Sequence, residues 1–459
     1  MKNKYTKIAL IGVIVLIFSL MFINKSLQLP KINALPEAER GQISQDRQSG
    51  NTDAIREEIR DVNPSALKNL GDLAFCRDGF LYVIEGKTGE IRQLTQTGRA
   101  LFPRWSYDGK YLAFIRITDQ KAMTGALWIV DREGKGAYQV QGVSDTLGAD
   151  DFKWSPTQNT LAVGGFGSGI WIVPVKDKPQ SIVETDSPVW VAWSPDGKRL
   201  AYNVTKGDPQ TEQCGDILYI YDVDSGKSTP QLDLSQTGAG IEVAEWWPDG
   251  KGLLFWGNFA LHSASLRADG LGLVSLKLGE KEPKNIACTL AYTDWLSFLP
   301  DGRLLIVKGC GRTLWMEKDI AIADVKTGKV EDLKNVPGHV TFDPAISPDG
   351  TKIAFIAAKE MEDSVFYEDQ DAWFESRTLW VCDADGSNPR RLENAGTNVY
   401  QPMWSKDGSH ILYAKDEYIW LIDANDTKPE QVLRPSLSKE EYFGFYGYKR
   451  YTDQLSWFR

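Results

Sequence analysis

The chain is short of the residues that chemistry most often needs. It has 459 residues but only three histidines, His262, His339 and His410. They stand far apart, and no His-x-x-x-His or Cys-x-x-Cys spacing occurs, which argues against a zinc site of the usual kinds. There is no Gly-x-Ser-x-Gly nucleophile elbow; the nearest string, Gly165-Phe166-Gly167-Ser168-Gly169, has the wrong spacing. Phosphate-cradling loops of the Walker type are absent. Positive charge is also in deficit: 52 Lys and Arg against 62 Asp and Glu give a net charge of −10. With no basic stripe, a nucleic-acid partner and an anionic membrane surface are both excluded for the body of the chain. No cofactor is expected.

Cysteine is scarce too. The five are Cys76, Cys214, Cys288, Cys310 and Cys382. None precedes Cys76, which excludes a lipoprotein anchor. Cys76 and Cys382 sit in apolar strands and read as buried thiols. Cys288 and Cys310 fall near one face of adjacent repeat units and are the one disulfide candidate.

Long apolar runs are missing except for one. Lys2, Lys4 and Lys7 precede a charge-free run from Ile8 to Ile23. The basic flank predicts an N-terminus in the cytoplasm and a body outside the cell membrane. Residues 1–27 therefore read as an uncleaved signal anchor, a single transmembrane helix and the chain's one contact with the membrane. The other reading is a cleaved signal and a secreted or periplasmic protein. Residues 28–70 are polar and read as a linker. Ile55, Ile59 and Val62 fall on one helical face, so a short helix ending before Pro64 is an alternative to a bare tether.

What the chain has in abundance is a repeat. Trp193-Ser194-Pro195-Asp196-Gly197, followed by Leu200-Ala201-Tyr202, recurs with its lead aromatic or aliphatic residue at Trp105, Trp154, Trp246, Phe298, Ile346 and Trp404. A last fragment lies at Trp457. The intervals are 39 to 58 residues. Strand-rich repeats of this period make propeller blades. Each unit reads as a first strand ending in Trp-Ser, a Pro-Asp-Gly turn, a second apolar strand, a variable loop, a third strand often bearing Trp, and a more polar fourth strand. Of 16 tryptophans, ten fall on the first and third strands of these units. Large aromatics at fixed repeat positions suit packing between neighbouring blades.

The first unit, Asp72 to Leu94, lacks a first strand. Gln454 to Phe458 supplies one from the far end of the chain, which would close the ring and remove two open sheet edges. The expectation is an all-β fold: a β-propeller of eight four-stranded blades closed by the C-terminal strand, spanning 71–459. Units five and six depart from the pattern, with Phe298 and Ala321 where Trp is usual, so a seven-bladed ring is the alternative.

The repeat resembles the TolB-type propeller repeat, and it is similar to the propeller domains of dipeptidyl and prolyl oligopeptidases. The resemblance covers roughly residues 71 to 459. It implies the fold and a binding or gating module; the peptidase nucleophile has no counterpart, and no hydrolase segment is expected after the closing strand. Propellers host many functions.

Strand order places the short Pro-Asp-Gly turns on one face and the longer, variable loops on the other, where function usually sits. Three insertions stand out on the variable face. Residues 257–272 contain Phe259, His262 and Arg267. Residues 358–378 contain Phe366, Tyr367, Trp373 and Phe374 among acidic residues. Residues 435–453 contain Tyr442, Phe443, Phe445 and Tyr446. Such aromatics read either as binding anchors or as a self-packed roof over blades seven, eight and one. Just before the first strands lie Asp150, Asp151, Glu242, Asp294, Asp343 and Asp453, expected to ring the mouth of the central channel. They read either as a site for a cation or basic side chain, or as solvated turn residues. Two functions follow from different classes: a non-catalytic binder of a protein or peptide, or a propeller lyase or glycoside hydrolase using mouth carboxylates.

Overall fold

The computed structural model describes residues 61–458, apart from 121–123, 208–212, 334–335, 364, 366–368 and 436–449. The run Ile8–Ile23 and most of the 28–70 linker lie outside these residues. Among the described residues no helix is long and apolar enough to cross a membrane.

Strands form eight separate four-stranded antiparallel sheets. Seven are built from consecutive strands: blades two to eight run over 100–139, 152–183, 191–233, 240–289, 297–332, 339–391 and 399–433, and blade one joins 72–93 to Leu455–Phe458. Leu455–Phe458 pairs with Asp72–Arg77, setting Leu73 opposite Trp457 and Phe75 opposite Leu455. The propeller has eight blades, not seven, and the C-terminal strand closes it. Its core also takes in residues before 71: Pro64–Leu67 form a 3-10 turn with Leu67 buried, and Asn63 N–H donates to Val432 O at 2.7 Å.

The repeated sequence has a local cause at each position. In Ser194-Pro195-Asp196-Gly197, Gly197 takes a φ of 68°, which the turn requires and glycine adopts without strain. Ser194 Oγ donates to Asp196 at 2.6 Å and accepts from Arg199 N–H at 2.8 Å, while Asp196 accepts from Lys198 N–H at 3.1 Å. The same network recurs at Ser106/Asp108, Ser347/Asp349 and Ser405/Asp407. The Ser-x-Asp-Gly string thus satisfies the turn's backbone donors from within.

The first-strand tryptophans stitch the blades together. Five of the six donate the indole N–H to a backbone carbonyl on the first strand of the preceding blade, one residue before that blade's own lead position; Trp457 does not. Trp105 bonds Ser456 O, Trp154 bonds Arg104 O, Trp246 bonds Ala192 O and Trp404 bonds Ala345 O, each at 2.9 Å. Trp193 bonds Lys153 O at 3.1 Å. Their rings fill the space between adjacent sheets. Blades six and seven break the pattern, with Phe298 and Ile346 in the Trp position and no indole donor there.

Three first strands carry a proline-containing bulge that the repeat did not predict, and the first strand of blade five shifts register at Ala244 without a proline. Phe102-Pro103, Asp343-Pro344 and Gln401-Pro402 stand at the same place in blades two, seven and eight, and the pairing register shifts across each. Proline has no N–H to give the ladder. The residue before it turns to positive φ, 57° at Phe102, 50° at Asp343 and 43° at Gln401. Such conformations are costly for residues with a side chain and persist where the surroundings hold them.

Candidate binding site at the channel mouth

These bulges shape the rim of the central channel on the variable face. Asp343 is buried. Its carboxylate accepts from Trp295 Nε1 of blade six at 2.8 Å and from Gln401 N–H of blade eight at 3.2 Å. Gln401 passes the link onward, its side-chain oxygen accepting from Tyr451 N–H and Thr452 N–H just before the closing strand. A belt of hydrogen bonds therefore runs around the mouth from blade six to blade one.

Arg450 crosses the mouth instead of following it. Its guanidinium makes two bonds to Asp150 of blade three, at 2.9 and 3.0 Å. It also donates to Asp294 of blade six at 3.2 Å and pairs with Asp453 at 3.5 Å. Glu242 of blade five is buried against Arg267, Nε to Oε2 at 2.8 Å. Asp151 accepts from Gly148 N–H at 2.7 Å.

Charge and burial divide these acids into two kinds. Burial pushes Asp151, Asp343 and Asp453 up to about 6, more than their donors and the nearby cations pull them down. Burial opposes ionisation of Asp150 as well, but Arg450, Arg104 and Lys153 outweigh it and hold Asp150 below the ordinary carboxylate range. The Arg450 charge is held well above its ordinary value, the surrounding acids overcoming the cost of burial.

Below the rim, a cavity of about 510 Å³ runs along the first strands of blades six to eight. Trp295, Phe298, Ile346 and Met403 supply an apolar wall, with Asp294 and Asp343 at the rim end. The size is that of an ordinary small-ligand pocket.

The structure thus brings Asp151, Glu242, Asp294 and Asp343 to the mouth region, each bonded to a donor of the chain itself. The expectation of an exposed anchor does not hold for Trp373. It is fully buried and donates to Lys359 O at 2.9 Å. Asp369 caps the short helix Gln370–Glu375 by accepting from Ala372 N–H at 3.0 Å, and that turn sends Trp373 inward, edge-on to Trp315. Phe374 is partly buried beside it. Both rings, with Phe342 and Tyr400, surround the buried guanidinium of Arg377. These two aromatics form a roof. Phe366, Tyr367, Tyr442, Phe443, Phe445 and Tyr446 lie outside the described residues.

Cys288 and Cys310 are joined as a disulfide between blades five and six, their Cα atoms 5.4 Å apart. Cys76, Cys214 and Cys382 are buried thiols. Among the described residues no group of three His, Cys, Asp or Glu side chains is placed to hold a metal.

Sequence reasoning missed Arg450, Gln401 and the exposed Phe166. Gln401 had a findable signal, since an X-Pro pair stands three residues before the lead position of blades two, seven and eight. Arg450 lies outside the repeat and had none.

No known protein family matches the chain by sequence profile, and no curated protein matches it. Solved structures do resemble it. A prolyl endopeptidase is 13% identical over 87% of this chain and 55% of its own, with a TM-score of 0.43. TolB from Acinetobacter baumannii is 15% identical over 73% of this chain and 66% of its own, with a TM-score of 0.34. An oligogalacturonate lyase solved in complex with manganese is 15% identical over 81% of this chain and 99% of its own, with a TM-score of 0.46. This chain therefore spans less than two thirds of the endopeptidase and about two thirds of TolB. The likeness is one of propeller architecture and does not extend to an activity.

Proposed function

We propose that the chain is a non-catalytic, membrane-tethered propeller, exposed outside the cell membrane, that binds a protein or peptide through its variable face. The observation that carries this reading is the mouth. An apolar-walled cavity is lined at its rim end by two carboxylates, Asp294 and Asp343, and these, with Asp150, Asp151, Glu242 and Asp453 of the mouth region, each have a partner within the chain. That arrangement suits holding a side chain. Glycoside hydrolysis asks instead for two carboxyl groups facing one cleft with water or sugar between them, and here the two that line one cavity, Asp294 and Asp343, are held by Arg450 and by Trp295 and Gln401. The disulfide supports an oxidising compartment, and Ile8–Ile23 supports the tether.

The test uses the full-length chain in its native membrane. It is expected in the pellet after a high-salt wash, with the propeller open to protease added from outside. Purified, it is expected to turn over neither oligosaccharides nor peptides. Turnover that Asp294→Asn abolishes would overturn the non-catalytic reading, and recovery in the cytosolic fraction would overturn the tether.

A further inference from the structure

Among the described residues, two aromatic side chains on the variable face are largely exposed. Phe166 is 72% exposed and Phe259 is 75% exposed. Both sit at loop tips joining second to third strands, Phe166 in blade three and Phe259 in blade five.

Both loops are built to hold their phenylalanine out. Around Phe166, Gly165, Gly167 and Gly169 take φ values of 137°, 64° and 64°, conformations that side-chain-bearing residues avoid. Val189 N–H donates to Gly165 O at 3.3 Å, and Trp171 Nε1 donates to Ser168 O at 2.7 Å. In the second loop, Asn258 Nδ2 donates to Ser263 O at 3.2 Å. His262 of that loop lies against the buried carboxylate of Asp216, Nε2 to Oδ2 at 3.2 Å. Asp216 also accepts from Asn203 Nδ2 at 2.9 Å, Thr205 Oγ1 at 2.7 Å and Ile241 N–H at 2.7 Å.

The two loops meet on the same segment. Val189, bridged to Gly165, is followed by Trp190, whose ring lies 5.0 Å from that of His262. The loops carrying Phe166 and Phe259 are therefore both anchored at the Val189–Trp190 segment, on the variable face over blades three to five. Its rim is acidic. Asp151 sits directly behind Gly165, where an added Cβ would come within 2.8 Å of its carboxyl carbon. Glu184 and Asp186 are exposed on the lead-in to blade four. Rigid aromatic knobs with a charged rim are the anatomy of an interface hot spot.

We propose that this surface docks a peptide segment of a partner protein carrying two apolar side chains flanked by Lys or Arg. The proposal rests on the binding reading above and names its place and chemistry. The acidic rim selects the basic flanks and disfavours an anionic lipid surface; the two projecting rings select the apolar side chains.

The experiment uses the full-length chain in detergent and a fluorescein-labelled peptide of twelve residues, with two Leu and three Lys in a Gly/Ser background. Matched peptides replace Lys by Glu or Leu by Ser. The wild-type chain is expected to bind the Leu/Lys peptide, more weakly as salt rises, and to bind both controls at least tenfold more weakly. Phe166→Ser and Phe259→Ser are each expected to lower affinity about tenfold, and the double variant more, with unchanged melting temperature because neither side chain is buried. Equal binding by the double variant, or by the Glu peptide, overturns the proposal. If the double variant binds as wild type while Asp294→Asn weakens binding, the propeller is a binder and this surface is the wrong place. If no peptide binds, the proposed partner chemistry is wrong, and the binding reading is decided separately by cross-linking from the variable face.

Discussion

Arg450 and Asp150 stand 300 residues apart in the chain and form a two-bonded ion pair at 2.9 and 3.0 Å. With Asp294 on the same guanidinium, that pair ties the lead-in of the closing strand to blades three and six. Blade-to-blade packing alone joins only neighbours. The pair joins blades that do not touch, at the end of the channel where the loops vary.

Replacing Arg450 with Gln removes the cation that Asp150 and Asp294 share and leaves Asp150 only the weaker pull of Arg104 and Lys153. The expected cost at pH 7.5 is about 1–3 kcal/mol, tempered by the water that reaches both acids. The loss should shrink toward pH 5, as Asp150, no longer held low by Arg450, takes up protons more readily. Urea unfolding of variant and wild type at the two pH values measures it; equal losses at both would show that the pair's charge does not matter.

The pH dependence of stability has a sign of its own. Asp151, Asp343 and Asp453, pushed up to about 6, bind protons in the folded chain that the unfolded chain has already released. Their contribution is present at low pH and lost as pH rises through about 6. Asp150, held low, contributes above the ordinary carboxylate range and loses that contribution on acidification. The melting temperature is therefore expected to be higher at pH 5.5 than at 7.5 at constant ionic strength, and to fall again below about pH 4. Asp151→Asn should flatten the step between 5.5 and 7.5.

Much of this was legible in the sequence, and for a physical reason. A blade must repeat the same turn and the same inter-sheet contact, so Trp193, Ser194 and Asp196 recur wherever that geometry does. The repeat also set the offset at which Asp151, Glu242, Asp294 and Asp343 reach the mouth. Their partners were not legible, because Arg450, Arg267 and Gln401 meet those acids through ring closure and loop folding, which no local pattern encodes. The aromatic insertion at 358–378 misled for a related reason: composition marks a loop as apolar, but only the turn capped by Asp369 decides that Trp373 faces inward.

The inter-blade bond separates ring area from indole donor. Trp246→Phe keeps most of the buried area and loses the bond to Ala192 O, at an expected cost of about 1 kcal/mol or somewhat more. Trp246→Ala loses both, at about 3–5 kcal/mol. Equilibrium unfolding checks the order, and equal losses for the two would contradict the stitching role.

Closure depends on the last strand. Trp457→Ala removes a buried ring opposite Leu73 and is expected to cost about 3–5 kcal/mol. A chain ending at Arg450 should lose cooperative unfolding, since the inner strand Asp72–Arg77 of blade one would lose its partner and become an open edge. An unchanged melting curve for the truncated chain would mean that the terminal strand does not hold the ring.

The Cys288–Cys310 bond should stabilise by about 2–4 kcal/mol. Reductant is expected to lower the melting temperature of the wild type and to leave the Cys288→Ser/Cys310→Ser variant unchanged. If both respond alike, the effect lies elsewhere.

Photo-cross-linking in cells that make the full-length chain tests the central claim, binding through the variable face, most directly. A photoreactive residue is placed in turn at Phe259 and Glu184 on the variable face, and at Tyr107 and Asp349 on the turn face. The expected result is a discrete partner adduct from the first two positions and none from the second two. Adducts from Tyr107 or Asp349, with none from Phe259 or Glu184, would put the binding face on the wrong side of the propeller.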